Sequence, residues 1–159
     1  GCTPGICRML REDPIMNDWI ADCLDRHLNG DWGDLCDEDR EINIDPAQFR
    51  RVLNNLIDNS RKYGAEDGTA KIMLSVRNGE NGHTEISIED NGQGVPADER
   101  DKIFETFYRG DKARTGHKNG SGLGLAITKQ ITDRHGASIR ADESELGGLK
   151  VIIDLPQAK

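Results

Sequence analysis

Three polar side chains on one predicted helix, Asn55, Asn59 and Lys62, stand at i, i+4 and i+7. They share a stripe along the edge of the helix's apolar face. A side-chain amide oxygen is a hard, neutral ligand suited to Mg²⁺, and a lysine one turn away can meet phosphate oxygens. Tyr63 follows, four residues after Asn59. The competing reading of this stripe, taken alone, is a polar helix edge. A second group closes a predicted strand: Asp90-Asn91-Gly92-Gln93-Gly94. Counting by twos, Asp90 points the same way as Ile86 and Ile88, toward the core. A carboxylate aimed inward is costly without a donor. An adenine amino group would supply one and would separate adenine from guanine. Gly92 and Gly94 let the backbone turn sharply beside a base. The plain alternative is an ordinary Asp-Asn-Gly turn.

A third group, Asn119-Gly120-Ser121-Gly122-Leu123-Gly124-Leu125, opens a helix whose first N–H groups and dipole form an anion site. A Rossmann dinucleotide site would need such glycines after the first strand of a parallel βαβ unit. Here they come late, after a long polar loop, and that reading is set aside. Between the two glycine groups lies Ile103-Phe104-Glu105-Thr106-Phe107-Tyr108-Arg109-Gly110. Its apolar residues can anchor a mobile lid over about residues 91–121. Arg109, Lys112, Arg114 and Lys118 give that stretch positive charge for a triphosphate. A solvated charged loop is the alternative.

These residues need a frame. Residues 1–13 read as a lead-in and 14–159 as one domain. Asp13-Pro14 is suited to open a helix carrying Ile15, Trp19, Cys23 and Leu24, ending near Asn29-Gly30. Residues 31–39 are acidic and turn-rich, and Glu41 to Ile44 is a strand candidate. The next helix is the clearest element. Asp45 serves as N-cap, Pro46 as first residue, and Gln48 completes a capping-box-like spacing. Phe49, Val52, Leu53, Leu56 and Ile57 form its buried face, and Gly64 is its stop. Ile72, Leu74 and Val76 alternate as a strand, residues 78–82 turn, and Thr84, Ile86 and Ile88 alternate in a second strand. Leu123 to His135 reads as a third long helix closed by Gly136. Residues 137–142 and 149–155 form a final hairpin with Val151, Ile153 and Leu155 on one face. Three helices beside a mixed, largely antiparallel sheet give an α+β two-layer sandwich.

Composition agrees with one polar globular domain: 159 residues, 35% hydrophobic and 31% charged. A formal net charge of -8 disfavours nucleic-acid backbones. No stretch approaches the ~18 apolar residues of a membrane span, and the opening residues GCTPGICRML lack the apolar h-region of a signal peptide. Cys2, Cys7, Cys23 and Cys36 form no paired CxxC set, which argues against zinc.

The order of the four segments is more specific than any one of them. NNLIDNSRKYG (54–64) resembles the N box of histidine kinases and EDNGQGV (89–95) the G1 box. IFETFYRG (103–110) resembles the F box and GSGLGLAI (120–127) the G2 box. The resemblance covers about residues 41–155. It implies the Bergerat-type ATP fold shared with gyrase-like ATPases, and ATP with Mg²⁺ as ligands. It implies Asn59 as the Mg²⁺ ligand, Asn55 as a polar group near the phosphates and Lys62 as a phosphate contact. Tyr63 would lie against the nucleotide, Asp90 would bind adenine, and Arg109 would meet or orient the γ-phosphate. Gly120, Gly122 and Gly124 would wrap the phosphates with Leu123 and Leu125 beneath. Gly92, Gly94, Val95 and Ser121 fall in the same nucleotide-binding boxes. A cytoplasmic setting is implied, either free or as the cytoplasmic part of a membrane-bound sensor, and there the cysteines are expected as thiols.

One departure narrows the class. Gyrase-like ATPases carry a glutamate at the position of Asn55 as the base that activates water, and an amide cannot act as that base. The site is therefore expected to present ATP to another nucleophile, a histidine ring. His27, His83, His117 and His135 do not lie in a His-Glu-x-x-Arg-Thr-Pro type of segment. The acceptor is accordingly expected on a separate dimerisation and phosphoacceptor domain, with a response regulator downstream and this chain monomeric by itself. The rivals are an ATP-driven conformational switch, a serine kinase acting on anti-sigma antagonists, and an inactive nucleotide-binding scaffold.

Overall fold

The computed structural model describes residues 6–10, 44–65, 69–109 and 122–156. The expected helix after Asp13 and the acidic stretch 31–39 lie outside these residues. So does all but Ile44 of the strand expected at 41–44, and Ile44 itself lies outside any strand and packs against the core.

Helix α1 spans Pro46–Tyr63. Asp45 caps it: Oδ1 accepts from the Ala47 N–H at 3.0 Å and the Gln48 N–H at 3.2 Å. Such a cap satisfies N–H groups that have no partner within the helix. The expected face is the buried one, since Phe49, Val52, Leu53, Leu56 and Ile57 are all 5% exposed or less. Gly64 stops the helix, but not as a left-handed cap. Its φ is -65°. Glycine is needed there for room, because a Cβ would sit 2.7 Å from the Ser60 carbonyl oxygen.

Strands β1 (Ile6–Leu10), β2 (Lys71–Asn78), β3 (Thr84–Asp90), β4 (Ser138–Glu143) and β5 (Leu149–Leu155) form one sheet in the order β1-β2-β3-β5-β4. Every neighbouring pair among the described residues is antiparallel, in keeping with the largely antiparallel sheet expected. The β2–β3 connection, residues 79–83, is a tight turn within one residue of the expected one, with Asn81 and Gly82 both at positive φ. In register, Leu74 faces Ile88, Val76 faces Ile86, Ile88 faces Val151 and Ile86 faces Ile153. These side chains meet α1 and Ile131 of helix α2 (Gly124–Arg134) in one core. Two of the three expected helices fall among the described residues and are present there.

Strand β1 lies within what the sequence reads as a lead-in. Ile6 pairs with Ser75 and Leu10 with Lys71, which covers one edge of β2. Five residues of weak alternation carry no strand signal by themselves, and the pairing is supplied by β2.

The two helices run antiparallel, with a tie near each end of α2. At its start, the Asn55 amide Nδ2 donates to the Gly124 carbonyl at 3.3 Å. At its end, His135 Nε2 accepts from the Asp45 backbone N–H at 3.0 Å, and Nδ1 lies 2.7 Å from the Ile131 carbonyl oxygen. A backbone N–H can only donate and a carbonyl can only accept. The ring is therefore neutral with its proton on Nδ1.

Candidate functional site

The end of β3 is where the site forms. Asp90 is 2% exposed, on the same face as Ile86 and Ile88. Its Oδ1 accepts from the Gly92 N–H at 2.9 Å and the Leu149 N–H at 3.2 Å, and the Ser60 hydroxyl adds a further hydrogen bond to the carboxylate. Burial pushes the Asp90 carboxyl above the usual carboxylate range, against the opposite pull of the bonds from Gly92, Leu149 and Ser60. The inward register read from the sequence is thus present, and protein donors already hold the carboxylate.

The glycines around it are set by close approach. A Cβ on Gly92 would sit 2.0 Å from the Tyr63 carbonyl oxygen, so the chain just past β3 passes directly against the end of α1. A Cβ on Gly148 would meet Asp90 Oδ1 at 2.2 Å. Gly94 has φ +68°, a conformation that L side chains rarely adopt. Asn91 braces the other side: its amide donates to the Thr69 carbonyl and accepts from the Lys71 N–H, each at 2.8 Å.

The β4–β5 turn is gripped from both faces of the sheet by consecutive residues. Asp90 holds it through the Gly148 and Leu149 N–H groups, the former donating to the Asp90 carbonyl at 3.1 Å. Glu89 is 1% exposed on the opposite face. It accepts from the Ser144 hydroxyl at 3.0 Å and pairs with Lys150 Nζ at 2.9 Å.

Asn55, Asn59, Lys62 and Tyr63 are half-buried along one side of α1. Lys62 Nζ stands 5.4 Å from the centre of the Tyr63 ring. The Asn55–Gly124 bond joins this stripe to the start of α2. There the Thr128 hydroxyl also donates to the Gly124 carbonyl, at 2.9 Å. Leu123, an apolar residue with no side-chain hydrogen bond to give, precedes α2 as its N-cap. Gly122, Leu123, Gly124 and Leu125 are half-buried at this junction. Gly120 and Ser121 lie outside the described residues, as do Lys112, Arg114 and Lys118.

The stretch expected as a lid from about residue 91 is tied to the body in its first half. Phe104 is buried, Val95 and Ile103 pack against the core, and Arg100 Nε donates to the Val95 carbonyl at 3.2 Å. The Phe107 N–H donates to the Gly122 carbonyl at 3.0 Å, with both residues at positive φ. Phe107 is 71% exposed, and Arg109 is half-buried just beyond it.

Two contributors escaped the sequence reading. The turn at Ser144–Leu149 lies outside the four boxes, and its glycine pair was not weighed. Ser60 could have been noticed as a lone hydroxyl in the apolar register of α1, three and four residues after Ile57 and Leu56. Among the described residues, no three His, Cys, Asp or Glu side chains gather to hold a metal ion. No helix there is long and apolar enough to cross a membrane.

The family model for histidine kinase-, DNA gyrase B- and HSP90-like ATPases matches residues 44–159. The sensor histidine kinase WalK of Bacillus subtilis (strain 168) is 41% identical over 122 residues, which are 77% of this chain and 20% of that protein. The sensor protein kinase WalK of Staphylococcus haemolyticus is 42% identical over 114 residues, 71% of this chain and 18% of that one. The chain thus spans about a fifth of the length of these relatives. Among solved structures, the mycobacterial sensor histidine kinase MprB superposes with a TM-score of 0.65 at 33% identity, over 73% of this chain and 76% of that one. The ATP-binding domain of PrrB from Mycobacterium tuberculosis superposes with a TM-score of 0.60 at 30% identity, over 88% of this chain and 95% of that one.

Proposed function

This chain belongs to the histidine kinase-, DNA gyrase B- and HSP90-like ATPases as the ATP-binding catalytic module of a sensor histidine kinase, and we propose that it transfers the γ-phosphoryl group of Mg-ATP to a histidine on a separate phosphoacceptor domain. A response regulator would then take the group from that histidine. The reading is supported by Asp90, a buried carboxylate held on one oxygen by two backbone N–H groups beside the half-buried stripe of α1. Adenine would present its amino group to this carboxylate. The triphosphate would run toward Lys62, Arg109 and the start of α2, where a bound anion would take the capping role that Leu123 cannot fill.

Asn59 fits Mg²⁺ by the chemistry of its amide oxygen. The ion accepts few protein ligands and completes its shell with phosphate oxygens and water. Bound there, it would neutralise charge on the phosphates. The protein's own part is positioning. Asn55 supports transfer over hydrolysis, because its amide, bonded to Gly124, offers no base to activate water.

The test is incubation of the chain with radiolabelled Mg-ATP and a purified helical-hairpin acceptor domain from a candidate parent kinase. Label on the acceptor that is lost in acid and retained in base is the expected result. Acid-stable label would point to a hydroxyl acceptor and overturn the reading.

A further inference from the structure

We propose that Thr128 is a positioning residue for the phosphates: its hydroxyl, sharing the Gly124 carbonyl with the Asn55 amide, sets the first peptide plane of α2 so that the Leu125 N–H points out of the helix end. The inference rests on the reading that the triphosphate runs to the start of α2, and it deepens that reading.

Thr128 is 0% exposed. Its hydroxyl donates to the Gly124 carbonyl oxygen at 2.9 Å, one turn back in the same helix. A buried hydroxyl is costly unless it finds an acceptor, and a carbonyl one turn back is the ordinary choice for a helical threonine. What sets this bond apart is the carbonyl it takes. The same oxygen accepts from Asn55 Nδ2 at 3.3 Å, across the gap between α1 and α2. One carbonyl is held from its own helix and from the neighbouring helix at once.

That carbonyl belongs to the peptide unit whose other end is the Leu125 N–H. The unit is planar and trans, so its N–H points opposite to its C=O. Fixing the carbonyl therefore aims the N–H. Leu125 is the second residue of α2, where backbone N–H groups have no partner inside the helix, and no side-chain cap precedes it. A glycine in this unit leaves its backbone loosely restrained, which gives the two side-chain bonds something to fix. The protein's own packing does not demand glycine there. Its φ is not positive, and a Cβ at position 124 would meet nothing within 4 Å. The open side of the turn is room in which a phosphate can come close to the backbone.

The experiment measures the affinity of the whole chain for ATP and for adenosine, which lacks the phosphates. Thr128→Val, which replaces the hydroxyl with a methyl group of like size, should weaken ATP about threefold to tenfold and leave adenosine unchanged. Thr128→Ser, which keeps the hydroxyl, should restore the affinity for ATP. Equal weakening of both ligands by Thr128→Val would make Thr128 a packing residue and overturn the proposal. So would an unaltered affinity for ATP, or Thr128→Ser behaving like Thr128→Val. Gly124→Ala separates the two levels, because it fills the open side of the turn and leaves Thr128 in place. If ATP affinity survives that change intact, the phosphates do not reach the start of α2 and the underlying reading fails, whatever Thr128 does.

Discussion

At Asp90, solvation and recognition oppose each other. Burial raises its pKa, so in the folded chain the proton is held more tightly than in the unfolded chain. The cost of keeping the carboxylate ionised is therefore fully present above the folded pKa and is relieved as pH falls through it. On the proposed adenine reading, nucleotide binding has the opposite sign: protonation would remove the acceptor, so affinity should decline at a higher pH than an ordinary aspartate would dictate. Asp90→Asn should weaken ATP by about 1–3 kcal/mol at neutral pH and remove this acid-side decline. Titration with a fluorescent ATP analogue across pH checks both, and unchanged affinity in the folded variant would refute the assignment. Asp90 was legible in the sequence because strand alternation alone aims it inward. Ser60 was not, because its bond spans two elements separated by 30 positions in the chain, Ser60 to Asp90.

Among the elements, α1 is the most completely legible. Its cap, its proline and its apolar spacing are local signals, and each is present in the folded helix. The ties between elements are not local. His135 reads in sequence as the last residue of a helix, yet its ring joins the end of α2 to the start of α1 through two backbone groups. His135→Ala should lower stability by about 1–2 kcal/mol, since it removes both bonds and the packing of the ring. Urea unfolding measures this. A change within ±0.5 kcal/mol, the range of an ordinary surface substitution, would mean the tie is immaterial. Strand β1 and the Ser144–Leu149 turn were illegible for the same reason. The first depends on an edge offered by β2, and the second on two carboxylates at the far end of β3.

For the molecule as a whole, the proposed reading separates holding ATP from using it. The chain should bind nucleotide and release phosphate only very slowly, because water finds no general base at Asn55. Steady-state phosphate release by the chain alone checks this, and rapid turnover would favour the ATPase reading over the kinase. The family assignment was legible from the order of four short segments, because each is a local run of residues with its own spacing. Their convergence was not: only the folded chain places the end of α1 against Gly92, and Asn55 against the start of α2.

The bond from Phe107 to Gly122 has a different kind of consequence. It brings two residues that are far apart in the chain within hydrogen-bonding distance, so the residues between them are closed into a loop at this one bond. Loop-closure entropy rises only with the logarithm of length, so doubling a flexible loop costs about 0.6 kcal/mol. Tolerance of an insertion between Phe107 and Gly122 is therefore a question of which contacts it disturbs and hardly one of its length.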